Sequence, residues 1–311
     1  MGQLVDGIWH AGWYEPDPKG AFKRPDARFR GHPKVIEPGR YHLYVSLACP
    51  WAHRTLITRA LRGLEDAISV TIVDPKMSDD GWSFRDEDPD PIGGAKFLRD
   101  VYLRADPKYT GRVTVPVLWD RALNTIVNNE SREVMRILDV DCEGLASTRA
   151  EGCLAPESLR GEIDGVLDAI YAPINNGVYR AGFAGTQGAY DHAVNELFDA
   201  LAHWDAELGK RPFLCGDRMT EADVALFTTL LRFDLVYYSH FKCNVRRLRD
   251  HANLWRHTRW MYQHPKIRPT CDLDHIKVHY YWSQTTVNPT RIVPVGPGEY
   301  ASDLQELARD P

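Results

Sequence analysis

The hydrophobic pattern changes period near the middle of the chain, and this change limits the possible folds more than any other feature. Up to residue 138 short β-branched runs alternate with helical stretches; beyond residue 157 apolar residues recur almost only at three- and four-residue spacings. In the first part Tyr41 to Leu47 alternates as a strand. Pro50 to Leu61 then reads as a helix with proline in its first turn, where a missing N–H is harmless. Ala67 to Val73 is a second strand and Lys96 to Arg104 a second helix. Thr114 to Asp120 and Thr125 to Asn128 are strands joined by a tight turn, and Ser131 to Leu138 is a third helix. Proline at 116 argues against an ordinary central strand, and a cis peptide at the strand's start reconciles the two. The segment 75 to 95, with its Asp, Gly and Pro residues, is an unusually long loop, a feature that in compact domains tends to be functional or mobile.

The order β-α-β-α-β-β-α is that of a thioredoxin-like α/β domain, a mixed sheet with helices on both faces. The segments 158–172, 187–208, 221–239, 245–263 and 271–281 then predict an all-α second domain. The expected boundaries are an N-terminal extension over 1–40, the thioredoxin-like domain over 41–140, a polar linker over 141–156 and the helical domain over 157–311. A chain of 311 residues with 43% hydrophobic residues can supply each domain with its own core.

Thirty-eight basic and 43 acidic residues leave a net charge of −5, no surplus for holding a polyanion, so no nucleic-acid partner is expected. No apolar run approaches the roughly 20 residues of a membrane span, and Ala222 to Leu231 is broken by Asp223 and two threonines. The first residues carry neither a signal-peptide core nor a myristoylation pattern, so the expected location is cytoplasmic. There are six cysteines, and no two are spaced C-x-x-C. In a reducing compartment they read as separate thiols.

Cys49 stands out among them. It lies where a strand ends and a helix begins, in Ser46-Leu-Ala-Cys-Pro-Trp-Ala-His-Arg-Thr55. A thiol there faces first-turn amides and the positive end of the helix dipole, both of which favour thiolate. The alternative is a buried junction residue. Ala52 stands where a resolving cysteine would, leaving only monothiol chemistry: Cys49 forms a mixed disulfide that a second small thiol releases. His53 reads either as a base for Cys49 or as a packing or capping residue. A cis Val115-Pro116 would leave the Val115 backbone open to pair with a bound peptide, against the reading of an ordinary edge-strand proline. Asn129-Glu130-Ser131 offers an anion site at a helix start, with Glu130 available to an ammonium group, or simply an N-cap. Thr220-Glu-Ala-Asp223 reads as a capping box. Cys271, His275 and His279 share a helix face, but no fourth ligand accompanies them and no metal is expected. Lys242, Arg246, Arg247 and Arg249 read as a solvated face.

Taken together, Cys49-Pro-Trp-Ala-His-Arg-Thr55, Gly111-Arg-Val-Thr-Val-Pro-Val-Leu-Trp-Asp120, Val127-Asn-Asn-Glu-Ser131, Asn175-Asn-Gly-Val-Tyr-Arg-Ala-Gly-Phe183, Phe233 and His240-Phe-Lys-Cys243 resemble the glutathionyl-hydroquinone reductases, the Xi class of the glutathione transferase family. The resemblance runs over about residues 5 to 296. It implies a thioredoxin-like domain that binds glutathione, a helical domain with the aromatic acceptor pocket, and a homodimer. Carried over, Cys49 is the nucleophile; Trp82, Val115, Glu130 and Ser131, with Arg99, contact glutathione; Tyr179 and Tyr280 are phenolic donors to the hydroquinone. Glutathione is then a co-substrate, and no cofactor is implied. In this reading the Cys49 thiolate attacks the glutathione sulfur of the conjugate, keto tautomerisation provides the electron sink, and the phenol of Tyr179 or Tyr280 either polarises the ring oxygen or gives the proton. A second glutathione clears the mixed disulfide. Two alternatives stand beside it: a broader monothiol transferase, acting in deglutathionylation or dehydroascorbate reduction without need of the tyrosines, and a non-catalytic interaction module of the same fold.

Overall fold

The computed structural model describes residues 2–147 and 151–306. The chain divides into two compact units, Met1–Tyr14 with Pro25–Gly152, and Glu15–Arg24 with Cys153–Pro311. The division at 152 falls inside the polar stretch 141–156, of which 148–150 lie outside the described residues. The N-terminal 40 residues are shared: 15–24 belong to the second unit and the rest to the first.

The first unit opens with β1 (Gln3–Val5) and β2 (Ile8–His10), an antiparallel hairpin. Its two-residue turn, Asp6-Gly7, has φ of 49° and 79°, matching the twist of the flanking strands. Next come β3 (Tyr41–Val45), α1 (Pro50–Leu61), β4 (Ser69–Ile72), α2 (Leu98–Ala105), β5 (Gly111–Arg112), β6 (Val117–Asp120), β7 (Thr125–Asn128) and α3 (Ser131–Arg136). The main sheet has the order β4-β3-β6-β7. β3 and β4 are parallel, joined by the α1 crossover, with His42 opposite Ser69 and Val45 opposite Ile72. β6 runs antiparallel to β3, and β7 to β6. β3 is buried at all five positions, as befits a strand covered on both faces. β1 also pairs with β5 in a small second sheet, so the first residues are part of this unit's framework. Strands of two or three residues are too short to show a period, which is why they read as irregular. The helix expected over Ser131 to Leu138 widens into a π turn at Ile137–Asp141, where the buried Asp139 pairs with Arg62 at 3.2 Å.

Burial without partners would make the long loop 75–95 costly, and Asp90 resolves this. Its carboxylate accepts from the Tyr44 hydroxyl at 2.6 Å and from the amides of Ile92, Gly93 and Ala95 at 2.9–3.1 Å.

The second unit contains α4 (Arg160–Ile170), α5 (Gly177–Gly182), α6 (Gln187–Leu208), α7 (Glu221–Leu230), the single turn α8 (Tyr238–His240), α9 (Ala252–Gln263), α10 (Leu273–Ser283) and α11 (Tyr300–Gln305). α6 has the boundaries that periodicity predicts. The helix expected over 221–239 instead ends at Leu230 and resumes as a π turn at Phe233–Tyr237. That turn places Asp234 where its carboxylate accepts the Leu248 amide at 2.6 Å and the Arg249 amide at 3.2 Å. Those bonds hold 248–250 in a 3₁₀ turn and delay the next helix, expected from 245, until Ala252. The Thr220 capping box is present: Asp223 accepts from the Thr220 amide and hydroxyl, both at 2.9 Å, from the Leu214 amide at 2.9 Å and from His257 at 3.1 Å.

Residues 15–24 form a strap on this unit. Gly185 donates to the Gly20 carbonyl at 2.8 Å, the Thr186 hydroxyl to the Lys19 carbonyl at 3.0 Å, and the Phe22 ring meets Phe183 at 5.3 Å. Gly20 has φ +83°, and a Cβ there would lie 2.6 Å from the Thr186 side chain, so both conformation and space require glycine. Among the described residues no helix is long and apolar enough to cross a membrane.

Candidate active site

Cys49 is the N-cap residue of α1, in extended backbone conformation, with Pro50 in the first turn. Its carbonyl accepts the His53 amide at 2.9 Å, while the thiol is half-buried and donates to the Val115 carbonyl at 3.6 Å. The sulfur therefore sits at the positive end of the helix dipole, where an anion is favoured. His53, a turn further on, is fully buried. Four of the other five thiols are different in kind. Burial pushes Cys142 up to about 12, Cys215 to about 11 and Cys271 to about 12, and it raises Cys243 as well, so they remain inert thiols at neutral pH.

The Val115–Pro116 peptide is cis. The loop before it is fixed by Tyr102, on α2, whose hydroxyl donates to the Thr114 carbonyl at 2.8 Å and accepts from the Thr114 amide at 3.3 Å and the Asn129 amide group at 3.0 Å. One buried phenol thus ties the Val115 loop to the start of α3. There Glu130, not Ser131, is the N-cap: its carboxylate accepts the Arg132 amide at 3.3 Å and the Ser131 hydroxyl at 3.5 Å. Ser131 is the first helical residue and is buried. Trp82 is buried too, and its carbonyl accepts the Leu98 amide at 2.9 Å, which docks the long loop on α2. Arg99 clamps the same loop. It donates to the Asp80 carbonyl at 2.6 Å and carboxylate at 3.0 Å, with its guanidinium 4.1 Å from the Phe97 ring centroid.

The second unit brings Tyr179 and Tyr280 together. Their hydroxyl oxygens are 2.6 Å apart, and the Tyr237 hydroxyl lies 3.0 Å from that of Tyr280, making a chain of three phenols. All three are buried, Tyr179 the least at 7% exposure. Burial raises Tyr237 and Tyr280 well above the ordinary phenol range, so at neutral pH they hold their protons and act as donors. Phe241 stacks on Tyr237 at 5.4 Å and meets Tyr179 edge-on at 5.5 Å. Gly182 admits it, because a Cβ there would fall 2.3 Å from the Phe241 ring. Cys271 precedes α10, at the end of a 3₁₀ turn over Arg268–Thr270, so it does not share a helix with His275 and His279; its thiol donates to the Ile267 carbonyl at 3.4 Å, while on α10 the His279 ring bonds Ser283 at 3.3 Å. Among the described residues no group of three or more His, Cys, Asp or Glu side chains is placed to hold a metal ion.

Residues 48–140 match the family model of the glutathione S-transferase N-terminal domain, and residues 187–259 that of its C-terminal domain. The chain is 49% identical over 306 residues to the glutathionyl-hydroquinone reductase PcpF of Sphingobium chlorophenolicum, covering 96% of this chain and 97% of that one. It is 47% identical to the glutathionyl-hydroquinone reductase YqjG of Escherichia coli, covering 98% and 97%. The chain belongs to the glutathionyl-hydroquinone reductases, the Xi class of glutathione transferases. Its structure agrees with that of the glutathione transferase Xi of Phanerochaete chrysosporium at a TM-score of 0.88 and 48% identity, covering 91% of this chain and 95% of that one. Against the glutathione-bound structure of the Escherichia coli YqjG the TM-score is 0.89 at 46% identity, with 99% of both chains covered. The α/β thioredoxin-like unit and the all-α unit are the two halves of this family's fold.

Two residues of these clusters escape a reading of the sequence. Tyr102 is one of several apolar-face residues of α2, and nothing in a helical period distinguishes a phenol that organises two loops from one that fills space. Tyr237 lies in an uninterrupted apolar run, and only the π turn at Phe233–Tyr237 aims it at Tyr280.

Proposed function

We propose that the protein reduces glutathionyl-hydroquinones to hydroquinones with a second glutathione as reductant, through a Cys49–glutathione mixed disulfide. The observation that carries this reading is the placement of Cys49: a half-buried thiol at the head of α1, with alanine where a second cysteine would resolve it. An activated thiol with no resolving cysteine a turn away must be released by a thiol from solution. The relatives named for this activity, 49% and 47% identical over nearly the whole chain, support the substrate class. Glutathione bound in the YqjG structure supports the co-substrate.

In this mechanism glutathione is held by the first unit. Val115 offers its backbone, Glu130 its carboxylate to the ammonium group, Ser131 its hydroxyl and Trp82 its ring, while Arg99 acts by fixing the loop that carries Trp82. The Cys49 thiolate attacks the conjugate's sulfur. As the carbon–sulfur bond breaks, the electron pair passes into the ring of the keto tautomer and reaches its oxygen, which takes a proton from Tyr179 or Tyr280. The incoming glutathione then attacks the mixed disulfide and leaves as oxidised glutathione, restoring Cys49. No cofactor or metal enters this scheme. The protein is further read as cytoplasmic and as a homodimer, and light scattering of the purified chain tests the dimer.

Mass spectrometry after mixing with a glutathionyl-hydroquinone tests the central claim. One glutathione is expected on Cys49 together with free hydroquinone, and an unmodified Cys49 after turnover refutes it. Tyr179→Phe and Tyr280→Phe separate this reading from a broader monothiol transferase. Each is expected to slow hydroquinone release about a hundredfold while leaving reduction of a simple glutathione mixed disulfide intact.

A further inference from the structure

We propose that Arg24 is a positioning residue for the ring chemistry, its guanidinium held over the face of Tyr179 so as to stabilise the phenolate that forms when Tyr179 gives up its proton. The proposal rests on the reading of Tyr179 as the acid. The guanidinium carbon lies 4.8 Å from the centroid of the Tyr179 ring and 5.5 Å from that of Phe22. Its Nε donates to the Asn176 side-chain oxygen at 2.9 Å. Asn176 immediately precedes α5, the helix that carries Tyr179, and its carbonyl accepts the Tyr179 amide at 3.1 Å and the Arg180 amide at 2.9 Å. One residue therefore sets both the cation and the phenol beneath it. The strap fixes the other end of Arg24 through the Gly20–Gly185 and Lys19–Thr186 bonds and the Phe22–Phe183 contact.

The effect of such a cation grows as the reaction proceeds. A neutral phenol attracts it through the ring's quadrupole alone, whereas a phenolate adds a full negative charge, so the contact is stronger in the transition state than before it. The hydroxyls of Tyr280 and Tyr237 assist from the oxygen side, since a chain of phenols donating toward Tyr179 polarises cooperatively. The proton balance is closed. Breakage of the carbon–sulfur bond and formation of the sulfur–sulfur bond send an electron pair to the ring oxygen, which takes the Tyr179 proton. The thiol of the second glutathione returns a proton to the phenolate, and the resulting thiolate releases Cys49.

Steady-state kinetics of the full chain with a glutathionyl-hydroquinone test this with two variants. Arg24→Met keeps the packing over the ring and removes the charge; Arg24→Lys keeps the charge. For Arg24→Met, kcat is expected to fall about tenfold with KM for glutathione unchanged. The alkaline limb of its kcat profile moves to higher pH, because without the cation Tyr179 holds its proton longer. Arg24→Lys restores most of the rate. Wild-type kcat and an unmoved alkaline limb in Arg24→Met overturn the proposal, as does an Arg24→Lys variant equally impaired, which makes the residue mere packing. If the Met variant fails to fold, as judged by iodoacetamide labelling of Cys49 and by circular dichroism, Arg24→Gln takes its place in the same comparison. Tyr179→Phe keeps the two readings apart: a fully active Tyr179→Phe removes the acid itself, whereas an impaired Tyr179→Phe beside an unimpaired Arg24→Met removes only the role of Arg24.

Discussion

At the scale of single residues, the chemistry separates by exposure and by the end of the helix on which a group sits. Iodoacetamide at pH 7 is expected to alkylate Cys49 while Cys142, Cys215, Cys243 and Cys271 stay unmodified, because burial holds those four as thiols. Cys49→Ser removes the label from the α1 peptide and, in activity assays, leaves less than about a thousandth of the wild-type rate. Peptide mapping of the labelled protein checks the first outcome. The role proposed for Cys49 is readable from its neighbours alone, since a strand, a Cys-Pro step and a helix define the sulfur's surroundings locally. Tyr179 and Tyr280, 101 positions apart, meet only through the tertiary fold, and it is the resemblance to a family rather than any spacing that pairs them. Tyr102 and Tyr237 carry no such signal. Tyr102→Phe, which takes a hydrogen-bond partner from Thr114 and Asn129, is expected to weaken glutathione binding about tenfold, as calorimetry would read.

At the scale of elements, the boundaries that periodicity places well are those with local stop signals, and the misplaced ones answer to distant side chains. α1 and α6 begin and end where their sequences say. α7 ends early and α9 begins late, for Asp234 draws two backbone amides from another segment into its own carboxylate. The start of α7 depends on Asp223 in the same way, but its capping box is written in the local sequence. Asp223→Ala removes the acceptor for Thr220, Leu214 and His257 together, all buried. A loss of about 3 kcal/mol is expected from the cap and the stranded donors, measured as a lower urea midpoint with an unchanged m-value.

At the scale of the whole molecule, stability is expected to fall as the medium is acidified below neutrality. His42, buried between Ser69 and Thr71, is pushed down to about 4, first by desolvation and then by Arg121. An unfolded histidine titrates near 6.5, so between that pH and 4 the unfolded chain binds a proton that the native one refuses, and acid favours unfolding. His240, pushed down to about 4 mainly by burial, acts in the same direction. Below these pH values Asp90 joins them. Burial alone would raise its carboxyl, but the Tyr44 hydroxyl and three backbone amides hold it below the usual range, and protonation loosens the long loop. Urea unfolding at pH 7 and pH 5 checks the slope, which His42→Gln is expected to flatten by about one proton.

The chain enters the second unit at residue 15, leaves it after 24 and returns at 153. Inheritance of either half therefore cannot be a matter of one crossover. A recombinant gene joined at residue 153 would take its front strap from one parent and the helices beneath it from another, with Gly20 meeting a foreign Thr186 and Arg24 a foreign Tyr179. Exchange of halves among such genes is thus restricted to parents whose first two dozen codons already match the distant helices they serve.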